Sequence, residues 1–337
     1  MNILNSPKKK LRFGFIGAGS IGSLFGGLLA SVKHKKYSFE IVFFCRKEHC
    51  QEIKKKGLKI QTRGEILKVS NIIAYDNLKQ VEKMINDDPN YHFNFLFIST
   101  KTPDLEKSLI EFKNIVDSSF WVIILQNGIG NEDIVSQFCD NEKIIRIITS
   151  HGAFIKNPGQ IYHAGSGFTK IGFSFTKTDK LKNKSIYDVL ELLRNLLNSS
   201  GLDTEIVEDI NIYCWEKVLV NIGINALGAI SQLKNGQLLE NGMLKRLMKE
   251  LVLEALTVAK KKKIKLPHKD YGKIMYQVAE KTGNNLNSML QDVLNKKITE
   301  IDFLNGRIVQ FAEELNCNVP FNKIITFLIK GLEKSYT

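Results

Sequence analysis

The sequence predicts an α/β fold, in which an N-terminal Rossmann-type dinucleotide-binding domain is followed by an all-α C-terminal domain. Three observations predict it. Short β-branched or aromatic runs alternate with amphipathic stretches over the first two-thirds of the chain. A glycine-rich motif stands between the first such run and the first helical stretch. From Asp209 onward the periodicity turns helical, with almost no strand signal. A chain of 337 residues is long enough for two domains with their own cores, placed at residues 1–207 and 208–337.

The elements follow in order. Residues 1–9 read as a disordered tail. Strands are predicted at Arg12–Ile16, Phe39–Phe44, Phe93–Ser99, Trp121–Leu125 and Lys143–Thr149. Helices are predicted at Ile21–Ser31, Leu105–Ile115 and Glu132–Phe138. The turn Asn157-Pro158-Gly159 predicts a hairpin within Ile155–Phe173 at one sheet edge. A helix at Ser185–Asn198 and a strand at Thr204–Val207 close the first domain. In the second, Ile301, Leu304, Ile308, Phe311 and Leu315 recur at the spacing of a core-facing helix opened by Glu300. Met243, Leu247 and Leu251 do the same on another helix, ended by Lys260–Lys265.

Composition narrows the function classes. No apolar run approaches the roughly 18 residues of a membrane helix, so no membrane partner is expected. Lys8–Arg12 followed by Phe13–Ala30 imitates a secretory signal, but six glycines interrupt the apolar stretch, so the chain reads as cytoplasmic. Five scattered cysteines without CxxC fit a reducing compartment, and neither they nor the six histidines form a metal-ligand pattern. The net charge of +13 comes almost wholly from lysines in short, distant runs. Nucleic-acid readers cluster charge and use arginine forks, so no nucleic-acid partner is expected. Small anionic ligands suit such a chain better.

Gly17-Ala18-Gly19-Ser20-Ile21-Gly22 is GxGxxG, placed directly after an apolar strand and at the start of a helix. Gly17 permits the tight turn, Gly19 lets a pyrophosphate approach the backbone, and Gly22 lets the helix pack against the strand. Ser20 and Ile21 open the helix, whose N-terminal amides and dipole favour phosphate. An NAD site usually carries a carboxylate at the end of the second strand. Here Phe44-Cys45-Arg46-Lys47 offers cations instead, and Arg46 suits a 2′-phosphate, so NADP(H) is the expected cofactor. Lys101 of Ser99-Thr100-Lys101 and Asn127 of Gln126-Asn127-Gly128 follow two further strands, at the sheet edge where ligands bind.

In Trp215–Leu227, Lys217, Asn221 and Asn225 fall at i, i+4 and i+8, one polar line on an otherwise apolar helix. Asparagines there need partners, supplied either by a ligand or by neighbouring helices. Glu300 serves equally as a helix-dipole complement, and Ser288 as a helix cap.

Taken in order, GAGSIG, CRK, STK, QNGIG, the W-x-K-x-x-x-N-x-x-x-N helix, KNGQL, NSMLQD and TEIDFLNG resemble the ketopantoate reductase (2-dehydropantoate 2-reductase) family, from Leu11 to about Lys334. The lysine-rich N-terminus and a longer Asp76–His92 segment depart from the family pattern without touching a motif. The resemblance implies NADPH-dependent reduction of 2-dehydropantoate to pantoate in pantothenate and coenzyme A synthesis. It implies Lys217 as general acid and Glu300 as the catalytic-site carboxylate that binds and orients substrate. Asn127, Asn221, Asn225 and Ser288 would contact substrate, with Asn235 supporting the site. Lys101 and Asn127 would lie beside the cofactor, and Arg46 would grip its 2′-phosphate. The expected partner is a small-molecule 2-oxo acid, with a homodimer as the assembly left open. A reductase of another branched 2-oxo acid and a non-catalytic NADPH sensor remain the alternatives. A two-domain 3-hydroxy acid dehydrogenase is disfavoured by the absence of a suitably placed histidine.

Overall fold

Continuous apolar runs such as Phe13–Ile16 and Phe95–Ile98 have no solvent-facing side, and they demand a parallel sheet covered on both faces. A computed structural model describes residues 8–62, 64–88, 90–175 and 184–336 and contains that sheet. Its strands, with those of a smaller sheet, are β1 (Lys9–Ile16), β2 (Tyr37–Phe44), β3 (Leu58–Gln61), β4 (Ile66–Val69), β5 (Ile72–Tyr75) and β6 (Phe95–Ile98). They continue with β7 (Trp121–Ile124), β8 (Ile144–Thr149), β9 (Gly152–Asn157), β10 (Gln160–Gly165), β11 (Thr169–Phe173) and β12 (Thr204–Ile206). The chain divides into two units: residues through Gln126 with Glu132–Ile210, and Asn127–Asn131 with the chain from Asn211 onward.

The first unit is built on the sheet β12-β11-β8-β7-β6-β1-β2-β5, parallel except where β11 runs against β8. Alternation sorts its side chains into two cores. Phe13, Phe15, Ile41, Phe43, Phe95 and Phe97 join one buried cluster. Ile16, Val42, Phe44, Leu96 and Ile98 join the other. The register pairs Phe15 with Phe97, and their rings stack at 4.5 Å.

Four strands form a second sheet, β4-β3-β10-β9. The predicted hairpin is present as β9 and β10, but it belongs to this sheet and not to an edge of the large one. The helix Ser20–Ala30 is packed so closely that Cβ atoms on Gly26 and Gly27 would meet Phe43 at 2.2 Å and Leu58 at 2.5 Å. Its glycine run therefore serves close packing. Buried His49 ties helix and hairpin together: its Nε2 lies 3.1 Å from Ser23 Oγ, and its Nδ1 accepts from the Gly159 amide at 2.9 Å.

Other differences from expectation are local. β1 begins at Lys9, inside the stretch read as a tail, because Lys9 and Lys10 pair with Tyr37 and Ser38; residues 1–7 lie outside the described residues. The Leu105–Ile115 prediction is two helices, Leu105–Glu111 and Lys113–Ser118.

The second unit consists of helices Ile210–Ser231, Gln237–Glu240, Gly242–Lys261, Tyr271–Lys281, Ser288–Leu294, Asn305–Glu314 and Pro320–Lys334. Met248, Leu251, Val252, Ala255 and Val258 carry the buried stripe of Gly242–Lys261. Met243, expected on that stripe, is 85% exposed, because it lies in the first turn beside the Asn241 cap. Polar contacts link helices within the core, where Asn305 donates to Asn322 at 3.0 Å and Asn322 to Glu254 at 2.8 Å. Among the described residues no helix is long and apolar enough to cross a membrane.

One buried pair gives the first unit a pH signature. His151 Nδ1 stands 3.0 Å from His163 Nε2, and burial, then the neighbouring ring, push the His151 pKa from 6.5 down to about 4. Between those values the unfolded chain binds more protons than the folded one, so stability is present above pH 6.5 and lost as pH falls towards 4. Urea unfolding midpoints should therefore fall over that window, and His151→Asn should flatten the fall. An equally steep decline in the variant would show that other groups carry it.

Candidate active site

In the first unit the chain turns sharply at the end of β1. Gly17 adopts φ +75°, and a Cβ there would stand 2.4 Å from the Thr100 side chain, so only glycine fits. The amides of Gly17 and Ala18 both donate to the Phe44 carbonyl at 3.0 Å. Ser99 secures the turn from β6: its hydroxyl donates to the carbonyls of Ile16 (3.1 Å) and Gly17 (3.0 Å) and fills the space a Cβ on Gly22 would need. Gly19 differs from both, since a Cβ there would approach nothing nearer than the Gly17 carbonyl at 3.7 Å. Its outer face is open to an incoming group.

Gly19 caps the helix Ser20–Ala30 without any side-chain cap bond, and the first-turn amides of a helix have no intrahelical acceptor. An open glycine beside such amides fits a pyrophosphate. Arg46 follows β2 as the exposed N-cap of helix Lys47–Lys56, with no carboxylate between Phe44 and Lys47. Burial raises the neighbouring Cys45 thiol to about 12, so that side chain stays protonated. Lys101 is exposed at the head of the turn Thr102–Asp104, next to the Thr100 that touches Gly17.

In the second unit, helix Ile210–Ser231 carries Lys217, Asn221 and Asn225 one turn apart. Lys217 Nζ donates to Asn127 Oδ1 at 2.6 Å, and Asn127 Nδ2 donates to Glu300 Oε2 at 3.4 Å. Three residues separated by 90 and 173 positions along the chain thus share one hydrogen-bonded line. Glu300 is buried at 8% exposure and Asn225 at 6%, while Asn221 is half-buried.

The structure corrects two sequence expectations here. Glu300 does not open a long helix; it precedes the 3-10 turn Ile301–Phe303, and helix Asn305–Glu314 begins only after Leu304 breaks the geometry at φ −114°, ψ −103°. The cap of helix Ser288–Leu294 is Asn287, whose side chain accepts from the Leu290 amide, so Ser288 is an exposed first-turn residue. Asn287 also donates to Asn235 Oδ1 at 3.4 Å, and Asn235 donates to Thr282 Oγ1 at 2.9 Å. Both ends of the Asn235 amide are therefore held by protein side chains.

Some contributors carry no sequence signal. Buried Glu333, on the last helix, accepts from Thr299 N (2.8 Å) and Thr299 Oγ1 (2.7 Å), which fixes the residue before Glu300. Ser99 is legible only as the end of a predicted strand and the start of the loop after it. Among the described residues no group of three or more His, Cys, Asp or Glu is arranged to hold a metal.

Comparison with known proteins gives this geometry a family. The family described as "Ketopantoate reductase PanE/ApbA" matches residues 13–174, and its C-terminal part matches residues 209–333. A 2-dehydropantoate 2-reductase of Pyrococcus horikoshii is 35% identical over 94% of this chain and 96% of its own. Among solved structures, a PanE/ApbA family ketopantoate reductase from Ralstonia eutropha superposes with TM-score 0.82 at 24% identity, covering 97% of this chain and 99% of the other. A D-mandelate dehydrogenase solved with NADH and anilino(oxo)acetate shares the fold at TM-score 0.80, 24% identity and the same coverage. With both parts of the family matched in order and a relative of that identity along nearly its whole length, the chain belongs to the ketopantoate reductase family of oxidoreductases.

Proposed function

We propose that the chain reduces 2-dehydropantoate to pantoate with NADPH, as a step of pantothenate synthesis. The observation that carries this reading is the Lys217–Asn127–Glu300 line, which sets an ammonium and a carboxylate on either side of one amide. The names of the relatives support the substrate.

The Gly17–Gly22 turn, with the amides of Ser20, Ile21 and Gly22, would hold the dinucleotide, Arg46 its 2′-phosphate, and Lys101 would lie beside it. When bound, the reduced nicotinamide supplies a hydride to the 2-keto carbon. The chain's own task is the proton. As negative charge develops on the keto oxygen, the Lys217 ammonium stabilises it and donates a proton, leaving a neutral amine and a hydroxyl. Asn127 aims that ammonium by accepting one of its three N–H groups. Glu300 accepts from the substrate's primary hydroxyl, while Asn221, Asn225 and Ser288 bond its other polar groups.

Three outcomes test this. Lys217→Ala should lower kcat by about 10²–10⁴, the usual worth of a positioned proton donor, while NADPH still binds. Near-normal turnover would dismiss Lys217 as the acid. Arg46→Ala should weaken NADPH and spare NADH, narrowing the preference by about ten- to a hundredfold, as loss of a charged hydrogen bond does. Equal weakening of both would move Arg46 away from the 2′-phosphate. Finally, 2-oxoisovalerate keeps the branch of 2-dehydropantoate and lacks its hydroxyl. A site built to bond that hydroxyl should use the analogue at least about 10²-fold less efficiently in kcat/KM. Equal values would make the enzyme a broader 2-oxo acid reductase.

A further inference from the structure

The segment Asn127–Asn131 presents the amide that meets both Lys217 and Glu300, yet it is neither helix nor strand at that point. Gly128 and Gly130 both take positive φ, +87° and +83°, conformations that carry no repeating hydrogen bonds of their own. Its shape must be imposed by neighbours. The Asn131 side chain donates to the Asn127 carbonyl at 2.7 Å, and the Ile129 amide donates to the Phe303 carbonyl at 3.4 Å. The next two carbonyls are taken by one side chain. Arg307 donates from Nε to Ile129 O at 3.2 Å and from Nη2 to Gly130 O at 3.4 Å.

That guanidinium is itself fixed. Nη1 donates to Gln310 Oε1 at 2.6 Å, and the planar head lies 5.5 Å from the Phe303 ring and 5.7 Å from the Phe311 ring. A Cβ on Gly130 would come within 2.7 Å of it, and a Cβ on Gly128 within 2.6 Å of the Phe303 carbonyl, so loop and brace fit without slack. Phe303 ends the same 3-10 turn that Glu300 precedes. One arginine and one phenylalanine therefore set the loop bearing Asn127 against the turn bearing Glu300.

We propose that Arg307 is a positioning residue for the reduction, holding the Asn127 amide in register with Lys217. This rests on the reading of Lys217 as the acid and Asn127 as its acceptor. A fork on two successive carbonyls is a task for arginine, since lysine offers a point charge without the planar geometry. Loosening the loop by about an ångström misaims the proton donor, and misplacements of that size cost up to about 10²-fold in rate.

The test compares Arg307→Met, which keeps the aliphatic stem between the rings and loses every donor, with Arg307→Lys. In the methionine variant kcat should fall about ten- to a hundredfold, KM for the 2-oxo acid should stay within about threefold, and NADPH affinity should not change. The lysine variant should recover only part of kcat. Hydrogen exchange should quicken by about tenfold or more at the amides of residues 129–131 and nowhere else, a local opening. A kcat within about twofold of the parent, a matching loss of NADPH affinity, or exchange that quickens along the whole chain would overturn the proposal. If the parent reduces no 2-oxo acid, the functional reading fails, and unchanged exchange at 129–131 would still refute the brace by itself.

Discussion

The line Lys217–Asn127–Glu300 depends on one side chain whose two ends cannot be exchanged. An ammonium only donates and a carboxylate only accepts, so Asn127 must turn its oxygen to Lys217 and its nitrogen to Glu300. The amide thereby bonds a cation at one end and an anion at the other. A direct pair would spend the lysine's donors on the carboxylate and hold both groups for each other. With the amide between them, each charged group is held by one end of a neutral side chain. An aspartate at position 127 would repel Glu300, and a lysine would repel Lys217, so the role admits a neutral amide.

The first unit brings its own turn into place by a chain of short contacts. Gly17 packs on Thr100, and Gln126 Nε2 donates to the Thr100 carbonyl (2.9 Å) and hydroxyl (3.1 Å). The Gln126 carbonyl accepts from Arg146 at 3.0 Å, and buried Arg146 pairs with Glu132 at 3.2 Å. Gly17, Thr100 and Gln126 each lie just beyond the C-terminal end of a parallel strand, the edge where open α/β sheets place their ligands.

Where a signal is local, the sequence shows it. The GxGxxG turn between strand and helix, and Lys217, Asn221 and Asn225 on one helix, are legible as geometry because motif and period each fall within a dozen residues. Short strands of the second sheet are not legible: β3 and β4 have four residues each, and only Leu58, Ile60 and Val69 of them are buried. Glu300 read as a helix opener because Ile301, Leu304 and Ile308 keep a helical period across the break at Leu304, and periodicity does not report φ and ψ. The roles of Arg307 and Glu333 were invisible for a different reason. Both act on backbone groups far away in sequence, through 177 or 178 and 34 positions, and backbone acceptors leave no mark in composition.

Cation usage shows the same division between bulk and site. Of 48 lysines and arginines only seven are arginine, and several stand where one planar head meets more than one partner. Arg12 bonds Glu40 at 3.1 Å and lies 4.2 Å from the Tyr91 ring; Arg146 takes a carboxylate and a carbonyl; Arg307 takes two carbonyls between two rings. Lysine cannot replace these geometries, because its strongly hydrated point charge has no fork and loses more on leaving water. The role proposed for Lys217 reverses the preference. A guanidinium holds its proton too firmly to act as an acid, whereas an ammonium can release one to a developing alkoxide. The lysine bias that raises the net charge to +13 therefore carries little structural information, and the exceptions to it mark where geometry matters more than charge.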